Sequence, residues 1–463
     1  MKIAMIASEV VPFAKTGGLA DVAGALPLAL ENNGQDIIII MPGYKMARNS
    51  KSPGIKNFQE GVSYSKIGKN VRVYFIDNDK YFNRSGLYGE KSGDYPDNLE
   101  RFSYFCKKAL ELIKIVKFKP DIIHCHDWQS ALVPVYLKTT LAEEPFFNNS
   151  RTVFTIHNIG YQGLFDKEEL PNAGLDWGVF NSEMLEYYDK INILKGGIVF
   201  SDIINTVSDT YSKEIQTKEF GFGLEGILRT RKNDLYGIIN GLDYGIWDPA
   251  SDKFIKENYS ARDLSGKIAA KAELGKICKL PVKAEAPLLG IVSRLAQQKG
   301  FDILAEGLDK ICKMSLQIVI LGMGDEKYCD ILSAAVKKYP KVVSFNIGFN
   351  DVLAHKIYAG SDIFLMPSRY EPCGLGQMIG LKYGAVPLVF KTGGLADTVN
   401  AGNGYVFDKY SSDGLITAIK KAVKDFKAKE SWKELMLSGM KCNFSWDAQS
   451  KKYIQLYEKA SAK

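Results

Sequence analysis

Histidine is scarce in this chain. There are four in 463 residues, at positions 124, 126, 157 and 355. The seven cysteines, at 106, 125, 278, 312, 329, 373 and 442, are scattered and odd in number, and no two stand as a Cys-x-x-Cys pair. Neither a disulfide framework nor a zinc ribbon is indicated, and a reducing cytosol is the expected setting. No apolar run reaches the length of a membrane span. The first residues lead directly into the apolar stretch Lys2-Ile-Ala-Met-Ile, so no signal or transit peptide is expected. The net charge is +7, yet no block of five or more basic residues occurs, and only the sign of the charge favours nucleic acid. Low-complexity tracts are also missing. What remains is 46% hydrophobic and 24% charged, a globular composition with large cores, and the length suits two to four domains.

One short stretch occurs twice. Residues 15–21 and residues 391–397 both read KTGGLAD. The first copy follows IAMIASEVVPF and the second follows AVPLVF. In each, a strand-like run ends and a Gly-Gly pair opens a Leu- and Ala-rich, helix-like segment. Glycines allow a sharp turn and close approach to a ligand. The first helical turn carries free N–H groups and partial positive charge, which suits an anion. The economical reading is two similar αβ halves, each offering a loop to one phosphorylated ligand. A repeated tight turn without a ligand is the alternative, but an identity this long and this far apart favours the first. The candidates are Lys15, Gly17, Gly18 and Asp21 in one copy and Thr392, Gly393 and Gly394 in the other.

Strand-like and helix-like patterns alternate along the chain. KIAMIAS, QDIIIIMP, VRVYFID, DIIHCHD, RTVFTIH, DIINTVS and LYGIING read as strands, and Pro27 is expected to kink the first helix. A polar, Lys-rich stretch spans residues 245–287. The alternation then restarts with LLGIVS, LQIVILG, VVSFNIG, DIFLMPS, AVPLVF and GYVFD. The expected fold class is α/β, with two Rossmann-like doubly wound sheets facing a cleft. The expected domains are 1–245, 246–444 and a closing helix at 445–463. Doubly wound folds host many functions, so function must come from the loops after the strands.

Arg294 ends one strand and Lys299-Gly300 opens the next helix; two fixed cations there suit a diphosphate. In Ser368-Arg-Tyr-Glu-Pro-Cys-Gly-Leu-Gly-Gln, Glu371 is placed to accept from sugar hydroxyls. The amides of Gly374, Leu375 and Gly376 lead into a helix over roughly 374–383 and suit phosphate oxygens; Cys373 is read as packed. HCHD at 124–127 looks like a metal cluster, but alternation splits it between two faces, and a zinc site needs three or four converging ligands. Asp127 and Trp128 are read instead as lining a sugar pocket. His157 ends a strand beside Asn158-Ile-Gly and is a functional candidate. Asp77-Asn-Asp79 matches a DxD metal motif in form but is read as an ordinary loop. Gly322-Met-Gly324 follows a strand yet lacks the third glycine of a dinucleotide fingerprint, which leaves a nicotinamide dehydrogenase as a weak rival.

Together, KTGGLADVAGALP, HDW at 126–128, IHN at 156–158, ING with Asn240, SRLAQQKG, PSRYEPCGLGQ and KTGGLADTV closely resemble the bacterial glycogen synthases, relatives of the plant starch synthases. The resemblance runs in order from residue 2 to about 447. It implies a two-Rossmann GT-B fold whose last helix crosses back to the first domain. It also implies a retaining transfer of glucose from ADP-glucose to the nonreducing 4-hydroxyl of an α-1,4-glucan such as glycogen; no cofactor or metal is expected, and the setting expected from the cysteines is the cytoplasm. By the same resemblance Lys15, Gly18 and Asp21 would meet the donor, Arg294 and Lys299 its diphosphate, Glu371 its sugar or ribose, and Asp127, His157 and Asn240 the transferred glucose. Phe349 stands where the family usually has a Tyr stacking on adenine. Two positions depart: Ile379 where the wider class often has a second Glu, and Gly376 where Thr is usual. A related transferase using UDP-glucose or another acceptor, and a noncatalytic glucan-binding protein, are the rival readings; the oligomeric state stays open.

Overall fold

The computed structural model describes residues 1–48, 54–90 and 93–463. The chain forms two compact units, Met1–Gly241 with Trp446–Lys463, and Leu242–Ser445. In the first, nine strands run in the order Leu235–Gly237, Ile203–Thr206, Arg151–Ile156, Ile122–His126, Lys2–Ile6, Asp36–Pro42, Val71–Ile76, Val62–Ile67 and Lys56–Gln59. The strands from Leu235–Gly237 to Val71–Ile76 pair in parallel, and the last two add antiparallel at one edge. Ile37 to Ile40 are all buried, as a sheet covered on both faces requires. The sequence reading expects only parallel sheets. The antiparallel edge escapes it because Lys56–Gln59 is exposed throughout and carries no apolar signal. A further three-stranded sheet, Leu164–Asp166, Lys190–Asn192 and Glu186–Tyr187, lies in the long excursion after Arg151–Ile156.

The second unit has six parallel strands in the order Val343–Ile347, Gln317–Gly322, Leu288–Val292, Ile363–Met366, Val386–Phe390 and Tyr405–Phe407. The order reverses beside Leu288–Val292, the place where doubly wound sheets open a ligand crevice. Alternate residues feed two separate cores. Leu289, Ile291, Ile318 and Ile320 pack on one face, and Leu288, Val319 and Leu321 on the other, following the two-residue period of a strand. His355 belongs to this scaffold. Its Nδ1 lies 2.7 Å from Asp252, which also accepts from the Tyr383 hydroxyl at 2.6 Å, and Trp247 stacks on its ring at 4.0 Å.

The helix Gly18–Asn32 continues through the buried Pro27. It packs against the helix Trp446–Ser461, which also meets the strands Ile122–His126 and Arg151–Ile156. Tyr453 and Tyr457 are fully buried there. The Tyr457 hydroxyl lies 2.9 Å from His124 Nδ1, and His124 Nε2 lies 2.7 Å from Thr155 Oγ1. Burial lowers the His124 pKa to about 3, so the ring is neutral and needs both partners. Tyr457→Phe is therefore expected to cost about 1–3 kcal/mol, the range for orphaning a buried polar atom. An unchanged urea midpoint would contradict this.

Candidate functional site

The first KTGGLAD loop leaves the strand Lys2–Ile6 and enters the helix Gly18–Asn32. Lys15 is exposed, and its ammonium pairs with Asp21 at 2.7 Å. A Cβ added at Gly17 or Gly18 would meet nothing within 4 Å, so the outer face of the loop is open. The inner side is taken. The Thr16 and Gly17 amides donate to the buried carboxylate of Glu9. The sequence reading points the amides of the first helical turn at an anion of the ligand; the two amides that Glu9 takes lie just before that turn, which begins at Gly18. Glu9 has no motif of its own. Its one signal is its charge inside the apolar run IAMIASEVVPF.

Asp127 follows the strand Ile122–His126 with φ 55° and ψ −179°, a region open almost only to glycine and a mark of functional strain. Its carboxylate accepts from the His157 amide at 2.7 Å, joining the ends of two adjacent strands. Burial raises the Asp127 pKa to about 7; the amides of His157 and Asn158 oppose that shift, and the charge of Glu9 adds to it. His157 Nε2 lies 3.0 Å from His126 Nδ1, and the His126 ring lies 4.1 Å from that of His124. The three imidazoles thus follow one another in a row. Burial lowers the pKa of each, to about 3 for His157. Asn240 is buried at the end of the same unit. Asp77 and Asp79 both contact Arg48, at 3.4 and 2.7 Å, and Asn78 caps the short helix Asp79–Phe82.

In the second unit, the loop after Leu288–Val292 and the loop after Ile363–Met366 interlock. Lys299 Nζ donates to Glu371 Oε2 at 2.6 Å, and Ser368 Oγ donates to the same oxygen at 3.1 Å. Gln298 donates to the Tyr370 carbonyl, and the Arg369 amide to the Gln298 carbonyl. Gly300, at φ +80°, passes so close that a Cβ would lie 2.1 Å from the Pro367 carbonyl. Arg294 is exposed. Its loop is held by Gly322-Met-Gly324: Leu295 N donates to the Met323 carbonyl, and a Cβ at Gly324 would meet the Leu295 carbonyl at 2.2 Å. The glycines of that supposed dinucleotide motif are spacers for the Arg294 loop.

The second KTGGLAD copy is used differently from the first. Gly393, at φ +41°, lies against the Glu371 carbonyl, where a Cβ would sit 2.0 Å away. The Gly394 amide donates to the carbonyls of Glu371 and Pro372. Thr392, Gly393 and Gly394 thus back the Glu371 turn and are all buried. Gly374, Leu375 and Gly376 lead into the helix Gly376–Lys382. A Cβ at Gly376 would come within 2.9 Å of Phe364 and 3.0 Å of the Met366 sulfur, which accounts for glycine where the resemblance leads one to expect Thr. Ile379 is buried core. Phe349 is 77% exposed, beside exposed Ile347. Among the described residues no group of three or more His, Cys, Asp or Glu could hold a metal ion, and no helix is long and apolar enough to cross a membrane.

Residues 2–230 match the family described as starch synthase catalytic domain, and residues 276–435 match glycosyl transferases group 1. A glycogen synthase of Geotalea uraniireducens is 49% identical over all of this chain and 99% of its own length. A glycogen synthase of Thermotoga petrophila is 47% identical over the same shares. The catalytic domain of starch synthase IV from Arabidopsis thaliana, bound to ADP and acarbose, superposes with a TM-score of 0.90 at 33% identity, covering 100% of this chain and 99% of that one. Two doubly wound α/β units with these matches define a glycosyltransferase of the GT-B class. The chain belongs to the glycogen synthase family.

Asp127 gives a test of the first unit's loop. Its folded pKa lies above the ordinary value, so the folded protein holds this proton more tightly than the unfolded chain does. The stability it contributes is complete below the usual carboxylate range and is lost as pH rises through about 7. Asp127→Asn cannot ionise. Its melting temperature relative to the unsubstituted protein should therefore rise between about pH 5 and about pH 8. An offset that is the same at both pH values would contradict the raised pKa.

Proposed function

We propose that the chain transfers glucose from ADP-glucose to the nonreducing 4-hydroxyl of an α-1,4-glucan, with retention at the anomeric carbon and release of ADP. The full-length identity with glycogen synthases carries this reading. The setting that goes with it is cytoplasmic, with no cofactor.

Breaking a glycosyl–phosphate bond puts negative charge on the departing diphosphate and positive character on the sugar. Fixed cations that need no reorganisation meet that charge at least cost. In the second unit Lys299 is held by Glu371, so this pair is neutral by itself, and exposed Arg294 supplies the net positive charge. We assign Arg294 and Lys299 to the diphosphate, Glu371 to a sugar hydroxyl, Phe349 to the base, and Gly374, Leu375 and Gly376 to phosphate oxygens. Thr392, Gly393 and Gly394 act by backing the Glu371 turn. In the first unit we assign Lys15, with Gly17, Gly18 and Asp21, to the donor, and Asp127, His157 and Asn240 to the transferred glucose. The neutral His157 ring suits a partner for sugar hydroxyls. The departing phosphate takes the acceptor's proton, in a front-face reaction.

Radiolabelled glucose should enter glycogen from ADP-glucose much faster than from UDP-glucose. The reverse preference would assign the donor to the uridine class. Lys299→Ala should lower kcat roughly 10²–10³-fold with the fold retained by circular dichroism; near-normal turnover would remove Lys299 from the mechanism. Activity should be unchanged in EDTA. A loss restored by a divalent cation would instead give Asp77 and Asp79 a metal role.

A further inference from the structure

Lys15 stands on a loop whose two glycines face open space. Its base is closed by the Phe13 and Ala14 amides on the Val10 carbonyl, and at its tip one buried side chain gathers the amides. Glu9 is 3% exposed. Its carboxylate accepts from four donors: the Thr16 amide, the Thr16 hydroxyl at 2.6 Å, the Gly17 amide at 3.2 Å and the Tyr88 phenol at 2.7 Å. Among the described residues no Lys or Arg forms an ion pair with it. A buried carboxylate without a cation is costly unless its lone pairs are filled, and four donors fill them. Burial pushes the Tyr88 pKa well above that of an ordinary phenol, so its hydroxyl keeps a proton to give. Ser8 Oγ lies 2.8 Å from that hydroxyl. Tyr88 in turn belongs to an excursion anchored by fully buried Arg101. The guanidinium donates to the carbonyls of Tyr81 and Leu87 and to the Asn98 side chain.

Consecutive amides at a Gly-rich turn make an anion-binding concavity. Here Glu9 occupies it. We infer that Glu9 is a positioning residue: an internal anion that sets the KTGGL loop so that the Lys15 ammonium meets the donor without reorganising, with Tyr88 tying the segment from Tyr81 to Tyr88 to the same anchor. This rests on the assignment of Lys15 to the sugar nucleotide made above. The competing arrangement is that the donor's phosphate displaces Glu9 and takes the amides itself.

The test is a double-mutant cycle on the full chain, with initial rates measured against ADP-glucose for the unsubstituted protein, Glu9→Gln, Lys15→Gln and the double variant. Glu9→Gln should lower kcat roughly tenfold or more, the worth of a charge-assisted hydrogen bond, with KM for glycogen unchanged. In the Lys15→Gln background the same change should have an effect of less than about twofold, since residues acting as one unit are not additive. Hydrogen exchange should show the Thr16 and Gly17 amides losing protection in Glu9→Gln while the sheet keeps its own. Fully additive effects would overturn the inference, and so would tighter ADP-glucose binding by Glu9→Gln, which would mean the amides belong to the ligand. If Glu9→Gln fails to fold, Tyr88→Phe, which removes one donor, carries the same cycle at smaller amplitude. Unsubstituted protein that does not turn over ADP-glucose would sink the donor assignment itself; active protein with an additive cycle would sink only the role of Glu9.

Discussion

A loop that leaves the carboxyl end of a buried strand brings unpaired amides and carbonyls with it, and each must find a partner. The functional candidates of this protein follow from how that constraint is met. In the first unit a buried carboxylate, Glu9, takes the amides of the KTGGL turn. In the second unit the carbonyl of Glu371 takes the amide of Gly394, while its side chain holds Lys299. Two glutamates thus serve two copies of one motif in opposite ways, one through its side chain and one through its backbone.

The consequence is electrostatic. Each unit neutralises a loop cation with a carboxylate of its own. Lys15 is paired with Asp21 and Lys299 with Glu371, so only Arg294 stands exposed without such a partner among the described residues of this set. The exposed Lys15–Asp21 pair is weak in water, which suits the exchange that the assignment proposed above asks of Lys15. The Lys299–Glu371 pair is more enclosed, which suits the preorganised charge that the proposed reaction asks of it.

Much of the fold was legible because covered parallel strands write long apolar runs. QDIIIIMP and LQIVILG need no partner information to be read as buried strands. Lys56–Gln59 was not legible, since its exposed residues carry no pattern and its place depends on Val62–Ile67 beside it. Among candidate residues, those in Gly-rich loops announced themselves. The different fates of the two KTGGLAD copies did not, because identical residues were packed against different neighbours: open space around Gly17 and Gly18, the backbone of Glu371 to Cys373 around Gly393 and Gly394. Glu9 was hidden because its role is set by a chain reversal rather than by spacing. The row of imidazoles was half visible: alternation put His124 and His126 on one face, but only the neighbouring strand and the last helix show why His124 is there.

The helix Trp446–Ser461 belongs to the first unit although the whole second unit precedes it in the chain. At a ribosomal speed of about 5–20 residues per second, the roughly 200 residues of the second unit occupy some 10–40 s of synthesis. During that interval the strands Ile122–His126 and Arg151–Ile156 lack the helix that covers them in the folded chain, and His124 lacks its Tyr457 partner. Maturation of the first unit thereby waits for synthesis of the second, and a nascent chain stalled within the second unit would lack part of the first unit's core.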